Sequence, residues 1–125
     1  MTGTESPTPP QPGATGRLER TVDASLVTTH FPGPGVLSTP SMIGIMELAC
    51  HEAVRAALPE GHTSVGFEVH VRHLAPAQLG ETVVTTGTLL ETNGRKLTFA
   101  VECRSGDKLI GEGTHRRAVI QLPTA

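Results

Sequence analysis

Residues 38–50 read STPSMIGIMELAC, a hydroxyl-rich start followed by an apolar run in which Glu47 is the one charge. Thr39-Pro40 reads as a helix opening: a hydroxyl at the cap accepts an early backbone N–H, and proline at the first helical position sacrifices nothing. The spacing predicts a helix from Thr39 to Leu58, stopped by Pro59 and Gly61. Met42, Ile45, Met46, Ala49, Ala53 and Ala57 share one face, while Ile43, Leu48 and Val54 spread apolar character around much of the circumference. A helix of that kind has to be wrapped.

The wrapping follows in the chain. Segments 63–75, 81–92, 95–104 and 108–121 are strand-like and joined by short turns, with Asn93-Gly94 and Ser105-Gly106-Asp107 as hairpin signals. Upstream, LERTVDASLVTT (18–29) reads as a strand, and HFPGPGVLS (30–38) as a loop whose Phe31, Val36 and Leu37 can lie over a pocket. One helix covers five strands only if the sheet curls around it. The order therefore predicts an α+β hot-dog fold, a curved five-stranded antiparallel sheet wrapped around one long central helix, with an ordinary α+β sandwich as the rival.

The 125 residues make one domain. It is expected over 17–122, after a proline-rich, disordered tail at 1–16 and before a short tail at 123–125. Ten basic against twelve acidic side chains leave a net charge of -2, no footprint for nucleic acid or an anionic membrane. Trp and Tyr are absent, so no aromatic platform for single-stranded nucleic acid is present. Cys50 and Cys103 lack CxxC or zinc spacing and read as reduced core residues. Residues 1–16 fit neither a signal peptide nor an anchor, and no run has membrane-spanning length; the expectation is a cytoplasmic protein without a membrane partner.

Three residues have two readings each. Glu47, His51 and Arg55, spaced by four, form either a solvated stripe or the edge of a cavity in which Glu47 becomes a general base. Thr39 is either a helix cap or a hydroxyl at a helix start suited to an oxyanion. In GFEVHVRHLAP (66–76), alternation places Phe67, Val69, Val71 and His73 on one face, so His73 is either a satisfied core histidine or a shielded catalytic one. His70 and His73 point to opposite faces of a regular strand, which argues against a shared metal. Gly66, Gly111 and Gly113 mark bulges or close approaches of backbone to a ligand. Nucleophile-elbow, phosphate-loop and dinucleotide signatures are absent, leaving acid–base and electrostatic chemistry.

From about Leu37 to Ile120 the chain resembles the fluoroacetyl-CoA thioesterase family of hot-dog acyl-CoA hydrolases. TPSMIGIMELAC (39–50) is similar to that family's Thr-x-x-Met-x-Gly-x-Met-Glu-x-Ala-Cys helix, and GEGTHRRAVI (111–120) to its Gly-x-Gly-Thr-His-x-Arg-Ala-Val-Ile strand. The resemblance implies that Thr39, Glu47 and His73 carry the reaction, that the backbone N–H of Gly66 contacts the acyl carbonyl, and that Arg117 lies at the site. The family's gate phenylalanine falls on Gly33, with Phe31 nearby as a stand-in substrate contact, so the implied activity is hydrolysis without selectivity for the fluorinated group. The expected protein is a homodimer acting on a small acyl-CoA or carrier-bound acyl thioester, with no metal or cofactor beyond coenzyme A as part of the substrate. A hot-dog hydratase or dehydratase and a non-catalytic thioester-binding module are the alternatives.

Overall fold

The computed structural model describes residues 9–30 and 32–123. The tail read at 1–16 lies outside this range up to residue 8, as do Phe31 and residues 124–125. Strand β1 spans Thr15–Thr21, so ordered structure begins inside the stretch read as tail. β2 (Val27–Thr28) and β3 (Val36–Leu37) form a small separate ladder, helix α1 spans Thr39–Val54, and β4 to β7 follow at His62–His73, Thr82–Asn93, Lys96–Ser105 and Lys108–Gln121. The main sheet has five antiparallel strands in the order β1-β5-β6-β7-β4. It curls around α1, giving the expected α+β hot-dog architecture.

Alternation builds the core. Val83, Thr85, Gly87 and Leu89 of β5 and Leu97, Phe99, Val101 and Cys103 of β6 point inward and are buried, their neighbours partly exposed. They meet Met42, Ile45, Met46, Ala49, Cys50 and Val54 of α1. The helix lies close against the sheet because a side chain is missing there: a Cβ at Gly87 would stand 2.7 Å from Cys50 Sγ. Leu48, on the opposite side of α1, remains exposed. No described helix is long and apolar enough to cross a membrane.

Local chemistry moves several expected boundaries. The strand read over 18–29 is broken because Asp23 Oδ1 accepts the N–H of Ser25, an Asx turn. The helix cap is Ser38, whose Oγ accepts the N–H of Ser41, and Thr39 is the first helical residue. Proline is as well placed second as first, since neither N–H has an intrahelical acceptor. α1 stops at Val54 rather than Leu58; a 3-10 turn over Arg55–Ala57 follows, and Leu58 is extended, as a residue before proline prefers. The β5–β6 turn is Gly94-Arg95, one residue later than the Asn93-Gly94 reading, with the positive φ falling on Gly94.

One correction matters most for the site. β4 carries a bulge between Gly66 and Glu68, leaving Phe67 as the extra residue. Phe67 is therefore 46% exposed rather than on the core face, while Val69, Val71 and His73 keep the inward alternation. The bulge restores both halves of β4 to register with β7.

Candidate active site

The first cluster gathers around Glu47. Its carboxylate is 41% exposed and lines a cleft of about 520 Å³ with Gly44, Leu48 and His51 of α1, Thr63–Gly66 of β4, and Arg117 of β7. Arg117 is buried and held on all sides: Nε donates to Ser64 Oγ and Nη2 to the Ser64 carbonyl, both at 2.8 Å, and Nη1 reaches the Glu47 carbonyl at 3.4 Å. Among the described residues it hydrogen-bonds no carboxylate. Burial disfavours its charge and the Glu47 carboxylate offsets that cost, so the cleft holds a desolvated guanidinium facing one acid.

His115 forms the back of this cleft and is 1% exposed. Its Nδ1 lies 2.9 Å from the Glu68 carbonyl, which can only accept, so Nδ1 carries the proton. Nε2 then has a lone pair, which accepts from Arg117 Nη1 at 3.1 Å. Glu47 Oε2 stands 3.9 Å from the same nitrogen. With Nε2 occupied by the Arg117 donor, the contact with Glu47 is no hydrogen-bonded ion pair; burial first of all lowers His115 from the ordinary histidine value, against the opposing Glu68 carbonyl. Burial and then Arg117 likewise lower His51 from the ordinary histidine value, against the opposing Glu52. Its Nδ1 pairs with Ser64 Oγ at 2.9 Å; no bond joins it to Glu47 among the described residues, so the stripe reading fails there.

The second cluster is Thr39 and His73. Freed from capping by Ser38, the Thr39 hydroxyl pairs with His73 Nδ1 at 2.8 Å. His73 Nε2 is buried without a hydrogen-bond partner among the described residues. Burial lowers the proton affinity of the ring, with the Ala75 backbone opposing. The pair faces a cleft of about 540 Å³ lined by Thr28, His30, Val36, Leu37, Ser38 and Pro40, under the loop read as a pocket cover.

Within one chain the two clusters stay apart. Thr39 and Glu47 are separated by eight residues of helix, about 12 Å of rise. Gly66 and His73 are seven residues apart on β4, up to about 23 Å. The structure joins Glu47, Gly66 and Arg117, joins Thr39 to His73, and does not join the groups. A larger hollow of about 750 Å³ sits on the outer sheet face among His70, Arg72, Glu102 and Glu112, away from both. Among the described residues no three His, Cys, Asp or Glu side chains converge as metal ligands; His70 instead pairs with Glu68 at 3.0 Å.

A sequence model of the fluoroacetyl-CoA-specific thioesterases matches residues 19–122. The chain belongs to that family. It is 42% identical over 89 residues to the fluoroacetyl-CoA thioesterase of Streptantibioticus cattleyicolor, covering 71% of this chain and 64% of that relative's length. A solved fluoroacetyl-CoA thioesterase structure superposes with a TM-score of 0.82 at 34% identity, covering 90% of this chain and 89% of that one. A hot-dog-like protein from Thermanaerovibrio acidaminovorans superposes at 0.80 with 27% identity, covering 88% and 83%.

Ser64 and His115 were not singled out in the sequence. The signal was there: Ser64 and Gly66 share one face of β4, His115 and Arg117 one face of β7, and Gly66 pairs with Arg117 in register.

Proposed function

We propose that this chain hydrolyses a small acyl-CoA to the free acid and thiol. The carrying observation is Glu47 Oε2 set against Gly66 with the buried Arg117 behind it, a carboxylate, a bare backbone and an under-neutralised cation around one cleft. A thioester carbonyl laid against Gly66 would develop negative charge beside Arg117, and donors fixed at such a point are worth ~3 kcal/mol. Glu47 activates water or attacks the carbonyl to form a transient anhydride. His73 assists proton transfer to the water or departing thiolate, and Thr39, held by His73, positions the acyl group. Phe31 is kept as an acyl contact on resemblance alone.

We further propose that the working unit is a homodimer. β4 is an edge strand of the sheet, and exposed Val65 lies on it with exposed Leu48 across the cleft. Unpaired edges invite a second strand. Antiparallel pairing of two β4 strands centred between Val69 and His70 sets His73 opposite the partner's Gly66, which would bring the separated clusters together. The reaction needs no metal or cofactor of its own, coenzyme A entering as substrate. A cytoplasmic location suits acyl-CoA chemistry and the free, buried thiols of Cys50 and Cys103.

The test is thiol release from acetyl- through hexanoyl-CoA, fluoroacetyl-CoA and phenylacetyl-CoA by wild type and Glu47→Ala. Hydrolysis of one member, reduced ~100-fold or more by the substitution, supports the reading. A folded wild type that releases no thiol from any member overturns it.

A further inference from the structure

Ser64 Oγ has two hydrogen-bond partners, Arg117 Nε at 2.8 Å and His51 Nδ1 at 2.9 Å. A guanidinium can only donate, so Oγ accepts from Arg117 and its own hydrogen needs an acceptor. Ser64 is 4% exposed, and among the described residues His51 Nδ1 is the one other partner of Oγ. A buried hydroxyl hydrogen left unmet is costly, so Ser64 donates to Nδ1. The imidazole is thereby held as the tautomer with its proton on Nε2. Burial, and then Arg117, oppose a second proton on the ring, Glu52 favouring it.

His51 lines the cleft, and its Nε2 has no hydrogen-bond partner among the described residues. Arg117 has a donor to spare as well. Four of its five N–H groups go to Ser64 Oγ, the Ser64 carbonyl, the Glu47 carbonyl and His115 Nε2, which leaves one at Nη2. Both walls carry these donors a similar distance from the point where a thioester carbonyl would meet Gly66. His51 follows Glu47 by one turn of α1, about 6 Å of rise, and Ser64 precedes Gly66 by two residues of β4, about 6.7 Å. Less one hydrogen bond of ~3 Å, this is the reach of an oxygen on the third carbon of an acyl chain. Ser64 and Arg117 are buried beneath that stretch, and the acyl chain is the part of the substrate small enough for it. Glu47 and Arg117 already balance in charge, so an acyl carboxylate would add an uncompensated negative charge where a neutral oxygen adds none.

We propose that the acyl chain runs from Gly66 toward Ser64, and that His51 Nε2–H, oriented by Ser64, selects acyl thioesters bearing a neutral hydroxyl or keto oxygen on the third carbon. The proposal rests on the thioesterase reading and adds the substrate class to it. An alkyl chain in the same place leaves the donors unpaired, which is how a polar pocket rejects an apolar analogue.

The test compares kcat/KM for thiol release from 3-hydroxybutyryl-CoA, 3-methylbutyryl-CoA, in which a methyl of similar size replaces the hydroxyl, and succinyl-CoA, using wild type, His51→Phe and His51→Gln. Wild type should favour the hydroxy over the methyl thioester at least tenfold and over succinyl-CoA as well. The hydroxy-to-methyl ratio should collapse toward one in His51→Phe and largely return in His51→Gln, whose amide can accept from Ser64 and donate to the acyl oxygen. Nitrogen NMR of labelled wild type should show His51 Nδ1 as the unprotonated nitrogen. Calorimetric titration of the hydroxy and methyl thioesters into Glu47→Ala, with and without His51→Phe, reads the same preference without turnover. No preference for the hydroxy thioester in wild type, its survival in His51→Phe, a preference for succinyl-CoA, or a proton on Nδ1 overturns the proposal. A wild type that cleaves no thioester, while Glu47→Ala binds the hydroxy compound more tightly and Glu47→Ala/His51→Phe does not, overturns the hydrolytic reading and leaves the His51 donor standing.

Discussion

Glu47 Oε2 occupies the space into which a side chain at position 66 would grow: a Cβ built on Gly66 would stand 2.6 Å from that oxygen and 2.7 Å from His115 Cε1. The two obstacles differ. The carboxylate is the end of a flexible side chain and can swing away, whereas His115 is fixed by Glu68, Arg117 and the stacked Phe99 ring, 6.4 Å away. Gly66→Ala is therefore expected to displace Glu47 and also to press on the fixed His115 ring, so that activity and stability fall together. Its kcat/KM should drop ~100-fold, about 2.7 kcal/mol of transition-state stabilisation, and the overpacking against His115 should cost ~1–3 kcal/mol of stability, read as a fall in melting temperature. Parallel assay and thermal melts check this; an active Gly66→Ala enzyme would remove Glu47 from the chemistry.

Ser38 and Thr39 separate capping from catalysis. Ser38 Oγ holds the Ser41 N–H and Thr39 Oγ1 holds His73 Nδ1. Ser38→Ala should cost ~1 kcal/mol of stability, the usual loss for a cap. Thr39→Val should leave urea stability nearly unchanged and lower kcat tenfold or more, with Thr39→Ser recovering most of it. If Thr39→Val destabilises and Ser38→Ala does not, the cap assignment is reversed.

The helix and the curled sheet were legible because their signals are periodic and redundant: the apolar wrap of 42–54 and the strict alternation of β5 and β6 each repeat over many residues. Cap and turn positions slipped by one residue because Ser38 and Thr39, or Asn93 and Gly94, offer nearly equal local chemistry and tertiary contacts choose between them. Phe67 was misplaced for a different reason. A bulge inverts the alternation behind it, and Gly66 marked its location without saying which neighbour would be expelled. The candidate site was half legible: Thr39, Glu47 and His73 carry visible chemistry, but the Arg117–Ser64–His115 scaffold exists only once β4 and β7 are in register.

Three histidines should give the protein a stability that depends on mildly acidic pH. His51, His73 and His115 are each lowered from 6.5 in the fold, burial being the first cause in every case. The unfolded chain then binds more protons than the folded one as pH falls below that value. Their contribution is fully present above about pH 6.5 and is lost as pH falls toward the lower folded values. Asp23 and Glu81, lowered from 3.8 and 4.5, lose theirs at more acidic pH, so the two windows separate. Urea unfolding at pH 7.5, 6.5 and 5.5 should show stability declining with acid, less steeply in His73→Gln. A flat profile would mean these rings titrate normally in the fold.

Thr39–His73 and Glu47–Gly66–Arg117 lie in separate clefts of one chain, and this arrangement makes the subunit composition of the site measurable. Suppose each site takes His73 from one subunit and Glu47 from the other. Glu47→Ala and His73→Ala homodimers are then each inactive, because every site lacks one group. After subunit exchange, a mixed dimer contains one site with both groups missing and one with both intact. Half the dimers in an equal mixture are mixed, so activity should recover to about a quarter of wild type. Sites built within single chains would show no recovery, since each chain carries its own lesion. Co-refolding the two variants and assaying thiol release, with sedimentation to confirm the dimer, decides between the arrangements. A monomer that is fully active would refute both the pairing of β4 strands and the composite site.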